Sequence, residues 1–351
     1  MKKFYKAIIF CFCTALMLCS GVVIGCGGRD YNTINITEVT HSIFYAPFYA
    51  ADNLGYFEDE GLKINLTNGG GSDVCMTSLI SGGSDIILAG PETVVYASER
   101  GYKDQPKVFG QLTQTDGSFI VTRDPEITPE NFDITDLVGE TIIGGRAGGL
   151  PAMTLEYIIE KQYEIGTESD QINLRTDVAF NNISSAFFED ESVKFCTLFE
   201  PTATNFVAEH SEFKIVGSVA DLLEENEVIP YTCFIAKDSY LKEHSDITEK
   251  FLRAVVKAAE YLKTAVETND LDKVVPALKP SFSSMTDEDL KVSAKQYYTI
   301  SAWTDDPTMT ETSLEKLIAI CSGAGMTNGE TDYDKIIDTT IAKKVMDSLK
   351  D

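Results

Sequence analysis

Gly61-Leu62-Lys63-Ile64-Asn65-Leu66, then Gly69-Gly70-Gly71-Ser72-Asp73, then Ser84-Asp85-Ile86-Ile87-Leu88-Ala89-Gly90-Pro91-Glu92 is the stretch that decides the fold. An alternating strand-like run is followed by glycines and by Ser72, placed as N-cap of a helix over 73–80. The run 85–89, apolar after Asp85, reads as a buried strand. Gly90-Pro91-Glu92 after it opens a further helix with proline in the first turn, where a missing N–H costs nothing. Strand, glycine turn and helix therefore recur as one unit.

The unit extends in both directions. Ile34 to Val39 alternates like a strand and Pro47 to Leu54 reads as a short helix; 107–111 and 119–122 are further strands. The pattern restarts at Glu140-Thr141-Ile142-Ile143, with Gly144-Gly145-Arg146-Ala147-Gly148-Gly149-Leu150-Pro151 leading into a helix that reaches about Tyr163. Strands are expected at 172–178, 195–199, 214–217 and 231–236, with Asn181 or Asn182 capping a helix to Glu189 and Glu200-Pro201 opening another. Such alternation predicts an α/β protein of mainly parallel sheets covered by helices, and two runs of it predict two lobes. From Asp246 the chain is helical. Asp246-Ile247-Thr248-Glu249 and Thr312-Ser313-Leu314-Glu315 fit capping boxes, and Phe251, Leu252, Val255, Val256, Ala259, Leu262 and Val266 form one core-facing stripe.

The 351 residues suffice for two domains, each with a core, and a 43% apolar share is ordinary for a globular protein. With 29 Lys+Arg against 55 Asp+Glu and a net charge of -26, nucleic acid is excluded as a partner and anionic lipid surfaces are disfavoured. The N-terminus is an address. Lys2, Lys3 and Lys6 precede an apolar run from Ala7 to about Val23, and Val23-Ile24-Gly25-Cys26 follows. This resembles a bacterial lipoprotein signal, with 1–25 removed, Cys26 lipidated and 26–32 as tether; an uncleaved membrane anchor is the alternative. Removing 1–25, which holds three of the basic residues and no acid, takes the net charge to -29. Cys75, Cys196, Cys233 and Cys321 then remain, too scattered for a metal or redox motif, and read as small buried hydrophobes.

In α/β sheets ligands bind beyond the carboxyl ends of strands, where helix N-termini point N–H groups outward. Gly69 to Ser72, Gly90 to Glu92, Gly144 to Pro151 and Phe199 to Pro201 all occupy that position. Tyr45-Ala46-Pro47-Phe48-Tyr49-Ala50-Ala51 with Leu54-Gly55-Tyr56-Phe57-Glu58-Asp59-Glu60-Gly61-Leu62, the Gly-Gly-Gly-Ser-Asp turn, Ser81-Gly82-Gly83-Ser84-Asp85-Ile86, Asp136-Leu137-Val138-Gly139-Glu140-Thr141-Ile142-Ile143 and Leu198-Phe199-Glu200-Pro201-Thr202 together resemble substrate-binding proteins of ABC importers. The nearest group is the nitrate/sulfonate/taurine and thiamine-pyrimidine-like (SsuA/THI5-like) family, and the likeness runs from about Ile36 to Tyr261. It implies the two-lobed periplasmic-binding-protein type II fold, with 33–118 and 235–351 as lobe 1 and 119–234 as lobe 2. It also implies a small-molecule nutrient closed between hinged lobes, an ABC permease as partner, a monomer, no cofactor and no metal.

Tyr45 and Tyr49 are candidate ligand contacts or an aromatic staple. Gly71, Ser72, Pro91 and Glu92 belong to the strand-end turns. Gln114 and Asp116, with Ser118, mark a polar floor at the first crossover or a solvated turn. Arg146 can pair with an anionic group or form a surface salt bridge. Glu200 can accept from an amine or amidine, or cap its own helix. Asn181 and Tyr231, with Phe180, fit a wall that mixes stacking and hydrogen bonding. One obvious cation against Glu92, Asp116 and Glu200, among tyrosine and phenylalanine rings, favours an aminopyrimidine or other amine-bearing heterocycle over a sulfonate or nitrate. Enzyme chemistry finds little support. His41, His210 and His244 lack His-x-x-x-His spacing, and the serine elbow, the phosphate loop and the cysteine-rich run of the related pyrimidine synthase are absent.

Overall fold

Two five-stranded mixed sheets organise the computed structural model, which describes residues 32–167, 171–224, 227–329 and 331–350. The leader, Cys26 and most of the tether lie outside the described residues. The first sheet has the order β2 (Lys63–Asn68), β1 (Thr33–Glu38), β3 (Ile86–Ala89), β10 (Thr232–Lys237), β4 (Pro106–Thr113). The second has the order β7 (Asn173–Arg175), β6 (Thr141–Ile143), β8 (Phe195–Phe199), β5 (Ser118–Thr122), β9 (Lys214–Ser218). β3 and β8, flanked on both sides, are buried throughout, which is why β3 reads as an unbroken apolar run and β8 as one interrupted only by Thr197.

Four strands of each sheet run in one direction, the mainly parallel arrangement expected, and one strand in each runs against them. β1 pairs parallel with β2 and β3, and β6 with β7 and β8, but β10 runs antiparallel to β3 and β4, and β5 antiparallel to β8 and β9. The cause is the brevity of the crossover. Only Gln114–Gly117 separates β4 from β5, so the chain enters the second sheet at the end where Phe199 closes β8, opposite Ser118. From there it can only run away from that end. β10 returns in the same manner, Cys233 opposite Ala89. The two crossovers are tied together: Ile229 N–H donates to Gln114 O at 3.0 Å and Tyr231 N–H to Thr113 O at 3.1 Å.

Helices follow the strand ends at Ala46–Asn53, Ser72–Ser81, Glu92–Arg100, Leu150–Tyr157, Ile183–Glu189 and Thr202–Glu209. The expected helix to Tyr163 ends its α turns at Tyr157 and continues as a wider π turn over Ile158–Gln162. The 23-residue helix Ser245–Glu267 buries Phe251, Leu252, Val255 and Leu262 against the first sheet, its stripe centring on Ala254, Ala258 and Ala265 rather than on Val256, Ala259 and Val266. Three expected caps differ. Gly71, not Ser72, caps Ser72–Ser81. His244 precedes Ser245–Glu267 with no side-chain cap, because the helix starts at Ser245 and takes Asp246 into its first turn; Glu249 pairs with Arg253 at 2.6 Å. Thr310, not Thr312, caps Glu311–Gly323 by accepting from Ser313 N–H. The segment after helix Asp287–Thr299 closes the edge beside β4, where Trp303 bridges Thr113 and its Nε1–H donates to Phe44 O at 3.1 Å. Cys75, Cys196, Cys233 and Cys321 are unpaired and buried, with burial pushing each thiol upward.

Candidate functional site

The carboxyl ends of strands from both sheets converge on one cavity. Val39 and Thr40 follow β1, Gly70, Gly71 and Ser72 follow β2, and Gly90 and Glu92 follow β3; Gly145 to Pro151 follow β6, and Phe199 ends β8. Tyr231 and Thr232, on the returning crossover, floor the space. This is the crevice position expected of open α/β sheets, with the first turns of three helices facing in.

Its walls are aromatic. Phe44 lies edge-on to Phe199 at 5.2 Å and to Tyr231 at 5.7 Å, and Phe180 meets Phe199 at 5.2 Å. Such edge-to-face packing leaves ring faces available to a flat ligand. Behind the floor, Tyr231 O–H donates to Asp116 Oδ2 at 2.6 Å, while Asp116 Oδ1 accepts from Ser118 N–H at 2.7 Å and Ser118 O–H at 2.5 Å. Burial pushes the Asp116 carboxyl up to about 6 against these three donors. Glu92 is 1% exposed, and its Oε2 has no hydrogen-bond partner among the described residues. Burial raises its carboxyl to about 8. Arg146 reaches from the turn after β6 to Asp73 on the helix after β2, Nη2 to Oδ1 at 3.1 Å, and this pair holds Asp73 below the usual carboxylate range.

Tyr45, Gly71, Ser72, Glu92, Arg146 and Tyr231 thus meet at one cavity. Other sequence candidates stand elsewhere. Tyr49 lies in the core with its O–H on Glu38 and its ring edge-on to Phe282, the staple arrangement. Pro91 is the residue preceding helix Glu92–Arg100 and does not line the cavity. Gln114 lines a separate hollow near Trp303, its Nε2–H donating to Ser301 O at 3.1 Å. Asp116 is fully buried beneath Tyr231. Glu200 caps its own helix, Oε1 accepting from Thr204 O–H at 2.8 Å and Oε2 from Thr204 N–H at 3.1 Å. Asn181 and Glu200 line a neighbouring smaller cavity with His41 and Ser42. Phe44, Thr40, Leu150 and Thr232 line the site without having been singled out in the sequence. Only the position of Phe44 beside Tyr45 offered a signal.

Glu38 and His41 stand three apart and pair at 2.9 Å, the imidazole raised chiefly by that hydrogen bond. No third ligand joins them, and no group of three or more His, Cys, Asp or Glu among the described residues is arranged for a metal. None of the helices among those residues is long and apolar enough to cross a membrane.

Comparison with known proteins agrees with this fold. The family profile described as NMT1/THI5 like matches residues 43–265. YtlA of Bacillus subtilis strain 168, named as a binding protein, is 38% identical over 313 residues, 89% of each chain. The nitrate-binding protein NrtA of Synechocystis PCC 6803 superposes with a TM-score of 0.68 at 12% identity, over 91% of this chain and 89% of its own. The ligand-binding component of an ABC-type import system from Staphylococcus aureus, solved with zinc bound, gives 0.66 at 13% identity, over 89% of this chain and 98% of its own.

Proposed function

Because the chain belongs to the NMT1/THI5-like family, we propose that it is the substrate-binding component of an ABC-type importer, and that its ligand is a nitrogen heterocycle of the aminopyrimidine kind. The observation that carries this is the ring-walled cavity between the two sheets, with Glu92 buried at its edge. A flat ring gains stacking area there, and an N–H of the ligand supplies the donor that Glu92 Oε2 lacks. The two sheets with their helices act as lobes dividing at the crossovers, near 118 and 232. Ligand touching both lobes favours the closed arrangement by its difference in affinity for the two states, and no bond is made or broken.

The leader places this receptor outside the cell. Lipidation at Cys26 anchors it to the extracytoplasmic membrane face, beside the permease that takes the ligand. Cys26→Ser in the bacterial host is expected to release the protein into the medium or periplasm and to abolish labelling by radioactive palmitate.

A thermal-shift series of aminopyrimidines, riboflavin, polyamines, taurine, alkanesulfonates and nitrate tests the ligand class. A true ligand at a hundredfold excess over Kd stabilises the fold by about 3 kcal/mol. Stabilisation by nitrate or a sulfonate, with all heterocycles inert, replaces this ligand with an oxyanion held by Arg146 and the helix N-termini. Silence across the whole series, in protein freed of carried-over ligand, would favour a lipoprotein scaffold that binds no small molecule.

A further inference from the structure

A second hollow adjoins the first and shares Ser72, Glu92, Arg146 and Gly149 with it. It opens between helices Ser72–Ser81 and Glu92–Arg100, where Met76, Ile80 and Tyr96 form the apolar part of its wall and Arg100 and Arg146 supply two guanidinium groups, against one in the first. Glu92 stands on the boundary. Its carboxyl folds back over Gly90, where an added Cβ would lie 1.9 Å from Oε2, so any side chain at position 90 would displace it. A buried carboxyl oxygen left without a donor is costly, and such groups in folded proteins await a partner.

Resting on the heterocycle reading above, we propose that the two hollows are one bipartite site, in which Glu92 grips the amidine edge of a ring in the aromatic chamber while an arm of that same ligand, ending in hydrogen-bond-accepting oxygen, passes into the chamber of Arg100 and Arg146. A carboxyl that is one-sided donor and one-sided acceptor matches an N=C–NH2 edge: the acid O–H donates to the ring nitrogen and the other oxygen accepts from the exocyclic N–H. Burial supports the protonated form up to a pH of about 8. The charged and titratable groups around Glu92 are Tyr45, Tyr231 and Cys233 from the core and crossover side, Tyr96 and Glu99 on its own helix, Cys321 on helix Glu311–Gly323, and Arg146 with Asp73 across the boundary. The proton of the pair can sit on either partner, so complex and free protein hold the same number of protons below that pH. Where the ring nitrogen of the free ligand is neutral, affinity is then flat with pH up to about 8 and falls tenfold for each unit beyond it.

Isothermal calorimetry of the full mature chain tests this with 4-aminopyrimidine, its 5-carboxymethyl derivative, unsubstituted pyrimidine and nitrate. The carboxymethyl arm is expected to tighten binding at least tenfold over the bare ring, and Thr77→Trp, a bulky group at an exposed helix position in the second chamber, to erase that gain. Glu92→Gln keeps a donor and an acceptor, so it is expected to bind the bare ring with no fall above pH 8, whereas Glu92→Leu loses it. If the aminopyrimidines bind but the arm gains nothing, or Thr77→Trp leaves the gain intact, the two chambers are not one site. If Glu92→Gln retains the fall above pH 8, Glu92 does not read the ring. If nitrate binds and no pyrimidine does, the heterocycle reading itself has failed, and this inference with it.

Discussion

The Arg146 guanidinium and the Asp73 carboxylate join the two sheets across the mouth of the cavity, 3.1 Å apart. Each comes from a strand-end turn or helix start of a different sheet, so the pair exists only when the halves stand as close as they do here. Its side chains are 48% and 62% exposed, and exposed pairs of this kind contribute roughly 0–1 kcal/mol.

Arg146→Ala is therefore expected to raise Kd by about two- to fivefold, with the melting temperature of the unliganded protein nearly unchanged. A double-mutant cycle with Asp73→Ala should return a coupling below about 1 kcal/mol that shrinks further in high salt. Since the pair lowers Asp73, its contribution is present above the ordinary carboxylate range and is lost as pH falls through the depressed value. A coupling of several kcal/mol would mean a desolvated pair and a tighter closed state.

Asp116 and Glu92 work in the opposite sense. Both carboxyls are raised by burial, to about 6 and about 8, so the folded state holds more protons than the unfolded one between the ordinary carboxylate range and those values. Stability is greatest below that range and declines as pH rises to about 6 through Asp116 and to about 8 through Glu92. Asp116→Asn should remove the first decline and Glu92→Gln the second, as followed by urea unfolding across pH 4–9.

Tyr231→Phe deletes one of three donors to a buried carboxylate. A cost of about 1–3 kcal/mol in unfolding free energy is expected, together with weaker ligand binding, because the same ring floors the cavity. A neutral result would place a water molecule on Asp116.

Glu200→Ala removes both acceptors of Thr204 at the start of helix Thr202–Glu209. It should cost about 0.5–2 kcal/mol, the usual value of a helix cap. Glu200→Gln keeps one acceptor, so a smaller loss is expected and a ligand Kd within about twofold of the parent. A Kd raised tenfold by Glu200→Gln would return this residue to the binding surface.

Gly117→Ala acts on the crossover. An added Cβ would stand 2.4 Å from the Phe44 ring and 2.8 Å from that of Phe199, two walls of the cavity. Overpacking of this kind costs about 1–3 kcal/mol, and displacement of the rings should weaken binding at the same time.

Local pattern carried the strands and helices well, because the runs of β2, β3 and β6 end in glycines that the chain uses as turns. Pairing direction did not show. Nothing in the residues of β10 says antiparallel; the short crossover that imposes it lies outside the strand. The capping serine and threonine were misassigned where two candidates stood within two residues, as with Thr310 and Thr312, since either hydroxyl satisfies the same rule. In the site, glycine turns marked the right strand ends, but side-chain direction escaped. Tyr49 sits on the helix after a single 3₁₀ turn, Ile43–Tyr45, and that turn rotates Phe44 into the cavity while Tyr49 faces Glu38. Glu200 illustrates a further limit: a carboxylate before a helix serves equally as cap or ligand contact, and only the hydrogen bonds to Thr204 decide.

The chain's single tryptophan has a use of its own. Trp303 is nearly buried, bonded through its indole to the carbonyl of Phe44 and bridged to Thr113 where the first crossover departs. Capture of a solute that presses on Phe44 or turns the crossover alters the surroundings of that indole, so ultraviolet emission from the unlabelled protein provides an optical gauge of occupancy, and with rapid mixing a clock for how fast the trap shuts.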